Sequence, residues 1–102
     1  MTSVVQHNRE AVEQLCRQFR VRRLELFGSA VGKKFDPKTS DLDFLVDFED
    51  LKPEEYADTY FGLLEGLREL FKRNVDLVMV SAVKNPYLLE SIERSRTLLY
   101  AA

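Results

Sequence analysis

Two short groups of small and acidic residues could together hold a metal ion and a phosphate. Asp41 and Asp43 alternate at the start of an apolar segment. Because successive side chains of a strand point to opposite faces, these two carboxylates share a face about 6.6 Å apart and can close on one or two divalent ions. Gly28 and Ser29 follow an earlier apolar segment, and such a turn leaves backbone N–H groups free to hold a phosphate. The pattern predicts metal-dependent phosphoryl or nucleotidyl chemistry.

Asp76 is a third candidate because it interrupts the otherwise apolar segment 75–80. A lone carboxylate in a buried strand is costly unless it is paired or binds a cation. If this segment lies beside segment 42–48, Asp76 can approach Asp41 and Asp43 to form a triad. Three carboxylates around one or two Mg²⁺ ions suit an in-line phosphoryl displacement, since the ions neutralise the triphosphate and lower the pKa of the attacking hydroxyl.

Each of these features also has an ordinary structural interpretation. Gly28 and Ser29 alone are most often a simple turn, and Asp41 and Asp43 alone could be solvated residues where a strand begins. Asp76 alone could be a carboxylate on an edge strand. It is their joint occurrence, in this order along the chain, that favours a metal site.

Hydrophobic periodicity predicts the elements that must position these residues. Short strands mixed with helices favour an α/β (α+β) fold, in which a small mixed β-sheet is flanked by helices. A chain of 102 residues has room for one domain, residues 1–102. The predicted elements are a helix at 3–19, strands at 21–27 and 42–48, a helix at 53–73 with Asn74 as its left-handed cap, a strand at 75–80, a helix from Asn85-Pro86 to about Arg94, and a tail, 97–100, that docks as a short strand or a final turn.

Gly62 and Gly66 lie four residues apart on one face of the longest predicted helix. Each glycine costs a helix about 1 kcal/mol relative to alanine. The pair therefore predicts a close approach by another element or by a partner.

Composition excludes several classes of protein. Apolar residues make up 45% and charged residues 31% of the chain, as in ordinary globular proteins, and a net charge of −2 makes direct nucleic-acid binding unexpected. Cys16 and His7 are the only residues of their types, which excludes a disulfide framework and Cys-based or His-rich metal sites. No long apolar run or signal-peptide pattern occurs, so we expect a cytoplasmic protein without a membrane segment.

The Gly-Ser, Asp-x-Asp and Asp series on strand, turn, strand, helix and strand resembles the nucleotidyltransferase superfamily typified by DNA polymerase β. In length the chain looks most like the minimal nucleotidyltransferases, the antitoxin halves of HEPN–MNT pairs, and the resemblance covers nearly the whole chain. It implies a polymerase β-like nucleotidyltransferase fold. It also implies that Gly28 and Ser29 hold the triphosphate, that Asp41 and Asp43 bind two Mg²⁺ ions, and that Asp76 completes the metal site and helps activate the acceptor hydroxyl.

The chain departs from the family at one position. The family often carries an arginine directly after the Gly-Ser pair, where this chain has Ala30. The phosphate contacts expected of that arginine would come from Lys33, Lys34 or Lys38, or be missing. These lysines also fit an ordinary solvated loop.

The resemblance implies an enzyme that binds Mg-ATP, transfers AMP to a hydroxyl and releases pyrophosphate. So small a chain has no second lobe to select an acceptor, so we expect a partner to present it. By resemblance the partner is a HEPN-domain ribonuclease toxin, and the acceptor is a tyrosine near its active site.

Two other functions stay open. The chain could be a weakly catalytic or non-catalytic antitoxin that occludes its toxin, with the Gly62/Gly66 face and the nearby Tyr56, Tyr60 and Phe61 as the contact surface. A nucleotidyltransferase for small molecules or nucleic acids is disfavoured by the missing lobe and by the acidic charge balance.

Overall fold

A computed structural model describes residues 3–28 and 41–102 of the chain. Within these two stretches, no helix combines the length and the apolar character needed to cross a membrane. The elements in chain order are α1 (Ser3–His7), α2 (Arg9–Gln18), β1 (Val21–Phe27), β2 (Leu42–Phe48), a 3₁₀ turn (Pro53–Glu55), α3 (Tyr56–Phe71), β3 (Val75–Met79), a second 3₁₀ turn (Val80–Ala82), α4 (Pro86–Ser95) and β4 (Thr97–Ala101).

The described strands form one four-stranded mixed sheet in the order β3-β2-β1-β4. β1 runs antiparallel to both β2 and β4, while β2 and β3 are parallel. The tail therefore docks as an edge strand, one of the two alternatives that the sequence left open. This topology confirms the predicted mixed sheet flanked by helices, and it places β3 beside β2, as the carboxylate triad requires.

The main core lies between one face of the sheet and helices α1, α2 and α3. The even-numbered residues of β2 all face this core, which confirms the predicted alternation. Fully burying a side chain of this kind stabilises the fold by about 1.5–3 kcal/mol. The strands contribute Val21, Leu24, Leu26, Leu42, Phe44, Val46, Phe48, Val75, Leu77 and Leu99, and the helices contribute Val5, Val12, Cys16, Leu63, Leu64, Leu67 and Phe71.

Helix α4 covers the opposite face of the sheet. Phe27, Leu45 and Ile92 form a smaller buried cluster there, and Val78 and Val83 pack against it. Because side chains alternate along a strand, Asp43 faces the same side as Leu45, and Asp76 faces the same side as Val78. The candidate carboxylates of β2 and β3 therefore lie on the α4 face of the sheet.

The two glycines of α3 are contact points for α2 and for Phe19, the residue at its C-terminal cap. A Cβ atom at Gly62 would lie 2.4 Å from Cε1 of Phe19, and one at Gly66 would lie 2.8 Å from Cδ2 of Leu15. Both glycines thus admit a neighbouring element of the same chain, one of the two predicted possibilities. The prediction that the Gly62/Gly66 face is a contact surface for a partner is therefore wrong for the two glycines themselves, because α2 already packs against them.

The first predicted helix, 3–19, is interrupted at Asn8, which lies between α1 and α2. The Asn8 side chain donates a hydrogen bond from Nδ2 to the carbonyl oxygen of Val4 at 2.8 Å. Asparagine side chains compete for backbone groups in this way, which favours helix ends over helix interiors.

The long helix ends at Phe71, and its left-handed residue is Lys72, with φ 53°. The prediction of Asn74 as the cap is wrong. The carbonyl oxygen of Asn74 instead accepts a hydrogen bond from the N–H of Leu42 at 3.2 Å. Pairing with the start of β2 thus engages the backbone of Asn74, and the helix ends before it.

Candidate active site

Asp43 lies at the end of the sheet where the last residue of β1 and the first residues of β2 and β3 are neighbours. In β2 it pairs with Phe27, the last residue of β1, and on its other side with Asp76 of β3. The parallel register brings the two carboxylates to adjacent positions on the α4 face. Asp41 stands two residues earlier, just before β2, and is exposed.

The three carboxylates interact electrostatically. The pKa of Asp43 is raised to about 6, first by burial, then by a hydrogen bond with Asp76, and then by the negative charges of Asp76 and Asp41. Ionising a carboxyl group in these surroundings costs free energy, because burial and the neighbouring negative charges disfavour the charged form. A bound cation would lower that cost. The tertiary structure thus brings together the three acidic residues that the sequence singled out.

One premise about Asp76 is wrong. We expected segment 75–80 to be a buried strand, but β3 is an edge strand and Asp76 is exposed. An exposed carboxylate on an edge strand needs no partner to be tolerated. The argument for Asp76 is therefore its register with Asp43.

Gly28 packs directly against the Asp43 carboxylate. Its φ is +76°, and a Cβ atom there would lie 2.5 Å from Oδ2 of Asp43. Both the left-handed backbone and the close approach favour glycine. The Gly28 N–H donates to Oγ of Ser95 at 2.9 Å. In this structure the Gly28 amide is therefore engaged by Ser95, and its assignment to the triphosphate stays a prediction.

Ser95 and Arg96 are the residues that sequence reasoning missed. Arg96 makes a two-pronged ion pair with Glu25 of β1, with Nε–Oε2 at 2.6 Å and Nη2–Oε1 at 2.8 Å. Glu25 is only 3% exposed, and the hydrogen bond from Arg96 is the largest cause that lowers its pKa. The only sequence signal was Glu25 itself, a charged residue in an otherwise apolar half of β1. These contacts fasten the end of α4 to the strand that leads into Gly28.

The remaining predicted contacts lie outside the described residues. Ser29, Lys33, Lys34 and Lys38 all belong to segment 29–40. Their assignment to the triphosphate stays a prediction.

The carboxylates fit a magnesium site that the substrate would help to complete. Within residues 3–28 and 41–102, no three His, Cys, Asp or Glu side chains are already arranged around one ion position. Mg²⁺, however, usually takes only one or two carboxylates and fills its other positions with waters and substrate phosphates. The adjacent Asp43 and Asp76 meet that requirement, with Asp41 adding negative charge nearby.

A pair of in-register carboxylates beside a glycine turn, on a mixed sheet with helices on both faces, is the arrangement expected of the nucleotidyltransferase class. The family model described as "Nucleotidyltransferase domain" matches residues 9–99. The chain belongs to this family and is a nucleotidyltransferase.

Individual relatives agree with this assignment. The chain is 37% identical over 76 residues to a candidate protein adenylyltransferase of Methanocaldococcus jannaschii, a match that covers 74% of each protein. Among solved structures, a candidate minimal nucleotidyltransferase matches with a TM-score of 0.64 and 30% identity, over 91% of this chain and 90% of that one.

Two more distant structures share the fold. A chain in a toxin–antitoxin structure with AMP-PNP matches with a TM-score of 0.66 at 22% identity, over 93% of this chain and 74% of that one. A chain in the structure of a tri-AMPylated Shewanella oneidensis HEPN toxin in complex with its MNT antitoxin matches with a TM-score of 0.63 at 21% identity, over 95% and 72%.

Proposed function

We propose that this nucleotidyltransferase transfers AMP from Mg-ATP to a tyrosine hydroxyl of a HEPN-domain toxin and thereby acts as an antitoxin. The observation that carries the proposal is the register of Asp43 with Asp76 beside Gly28. The adenylyltransferase name of the M. jannaschii relative supports AMP as the transferred group. The toxin–antitoxin complexes among the structural neighbours support the choice of partner.

Each residue has a role in this scheme. Asp41, Asp43 and Asp76 would hold two Mg²⁺ ions, which when bound neutralise the triphosphate and favour in-line displacement. Gly28 leaves room for the Asp43 carboxylate, since any side chain there would meet Oδ2. Ser29, Lys33 and Lys34 stay the predicted triphosphate contacts.

In this scheme the exposed Asp76 would accept the proton of the acceptor hydroxyl. The acceptor oxygen forms a bond to the α-phosphorus while the bond from that phosphorus to the pyrophosphate oxygen breaks. The proton of the acceptor hydroxyl passes to a carboxylate, and the electron pair of the broken bond leaves with pyrophosphate. A base at an exposed sheet edge can be reached by a hydroxyl on another protein.

The test uses ATP labelled at the α-phosphate, Mg²⁺ and a HEPN-domain protein that co-purifies with this chain. Wild type should label the partner, and Asp41→Asn/Asp43→Asn should not. Asp47→Asn is the matched control, because Asp47 lies on the same strand but makes only a 3.8 Å surface ion pair with Arg22. Labelling by the double variant, or none by wild type, contradicts the proposal.

The same double variant tests occlusion. Loss of labelling together with retained neutralisation of the toxin would indicate that binding alone is sufficient. The surface first predicted for such binding is reduced, since α2 packs on both glycines and Tyr60 donates its hydroxyl to the carbonyl oxygen of Leu77. Of that set, Phe61 is the large exposed side chain, at 58%.

A further inference from the structure

A cavity of about 380 Å³ opens between Gly28 and the outer side of α4. Its volume lies in the range typical of small-molecule sites, about 300–1,000 Å³. The α4 residues that line it are spaced three and four apart and so form one stripe along the helix. They are Tyr87, Glu90, Ser91, Arg94 and Ser95.

The cavity begins at the turn that holds the carboxylates. Ser95 accepts the Gly28 N–H at 2.9 Å and donates its own hydroxyl to the carbonyl oxygen of Ser91 at 2.9 Å. Gly28 in turn touches Oδ2 of Asp43 on the same face of the sheet. A ligand anchored at the carboxylates can therefore continue into the cavity without crossing the sheet.

The far end of the cavity presents an aromatic ring. Tyr87 is 82% exposed, and its backbone N–H is fixed by the Asn85 side chain at 2.8 Å in the cap of α4. It precedes Ser95 by eight residues, which corresponds to about 12 Å along a helix. A planar group can stack on this ring while the rest of the ligand extends toward Gly28.

The charged side chains of the cavity between Gly28 and Tyr87 balance each other. Glu90 and Arg94 form an ion pair one helical turn apart, so the stripe offers hydrogen-bond donors and acceptors without net charge. Such a surface suits an uncharged moiety with an aromatic face and several polar edges. A nucleoside has both features, because its base stacks and its ribose hydroxyls donate and accept hydrogen bonds.

We propose that this α4 stripe binds the nucleoside of the nucleotide donor, with the base on Tyr87 and the ribose beside Glu90, Ser91 and Arg94. The inference rests on the proposed function, since it assumes a nucleoside triphosphate at the carboxylates. It gives α4 a role in substrate binding in addition to covering the sheet.

The test compares ATP with inorganic tripolyphosphate, each titrated calorimetrically with Mg²⁺ present. Tyr87→Ala should weaken ATP binding about tenfold, the scale of one lost base-stacking contact, and leave tripolyphosphate binding unchanged. Tyr87→Phe keeps the ring and should bind ATP like wild type. Leu89→Ala is the matched control, because Leu89 is an exposed α4 residue that lines a different groove, beside Leu45.

The outcomes separate this inference from the proposed function. Equal ATP affinity in Tyr87→Ala and wild type, or an equal loss for ATP and tripolyphosphate, overturns the nucleoside site and leaves the proposed function standing. If Tyr87→Ala binds ATP normally but no longer labels the partner, Tyr87 belongs to the acceptor surface and the inference is again overturned. Failure of wild type to bind ATP at all overturns both.

Discussion

Two acidic residues on the same face of the sheet have opposite surroundings. Glu25 in β1 is buried but holds the guanidinium of Arg96 through two hydrogen bonds, and Arg23 adds a third at 3.0 Å. Asp43 in β2 is partly buried beside two further carboxylates. The first group has its counter-charge in the protein, whereas the second would receive it from a bound cation.

This contrast separates a structural carboxylate from a candidate functional one. The pKa of Glu25 is lowered, chiefly by the hydrogen bond from Arg96, while that of Asp43 is raised, chiefly by burial. Fixed negative charge for which residues 3–28 and 41–102 supply no counter-charge destabilises the metal-free fold but prepares a cation site. Opposite effects on stability should therefore distinguish the two residues.

Under the proposed function, Asp43→Asn should have the largest effect, a loss of AMP transfer of at least about a hundredfold, because a bound ion would contribute several kcal/mol of transition-state stabilisation. In metal-free protein the same change should raise the melting temperature at pH 8. The folded pKa exceeds the unfolded one, so ionised Asp43 costs stability above about pH 6 and costs nothing below about pH 3.9.

Thermal melts with a chelator, from pH 4 to pH 8, check the second part of this expectation. A melting temperature that falls in the Asn variant at pH 8 would show that Asp43 is compensated within the protein. The contrast with Glu25 would then be lost.

Glu25→Gln should destabilise the fold by about 1.5–3 kcal/mol at pH 7, the usual worth of hydrogen bonds to charged groups. Its folded pKa lies below the unfolded one, so the contribution is present above about pH 4.3 and lost as pH falls through the folded pKa. Urea titrations at several pH values measure this.

Glu93→Gln is the matched control for that change, since Glu93 pairs with the same Arg96 but its side chain is 65% exposed. We expect less than about 1 kcal/mol there. Equal losses in the two variants would mean that burial of Glu25 adds nothing to its pair with Arg96.

Ser95→Ala should destabilise the fold by about 1 kcal/mol, less than Glu25→Gln, because it removes the acceptor of the Gly28 N–H. Ser95 lies between the Glu25–Arg96 pair and the Gly28 turn beside Asp43. The variant should therefore also change Mg-ATP affinity while leaving the Glu25–Arg96 pair intact. Ser91→Ala keeps the backbone carbonyl that Ser95 uses and serves as the control for urea titration. A loss of stability in Ser91→Ala as large as that in Ser95→Ala would show that the Gly28 contact is not responsible.

Much of the fold could be predicted from local patterns. The alternation in 42–48 identified β2 and both of its faces, and Asn85-Pro86 marked the beginning of α4. Such signals are local because the strand and helix periods are fixed by backbone geometry. The helix boundaries at Asn8 and Lys72 were missed, because their positions depend on side-chain competition and on a hydrogen bond to a distant strand.

Some features of the candidate site could likewise be predicted from the sequence, and others could not. The sequence by itself determined which residues could do the chemistry, since the Gly-Ser turn, Asp41, Asp43 and Asp76 are recognisable from type and spacing. Only the tertiary structure decided that Asp76 lies on an edge strand in register with Asp43, and that Ser95 engages the Gly28 amide. Strand order and contacts between residues far apart in the chain depend on how the helices cover the sheet, and no local pattern encodes that packing.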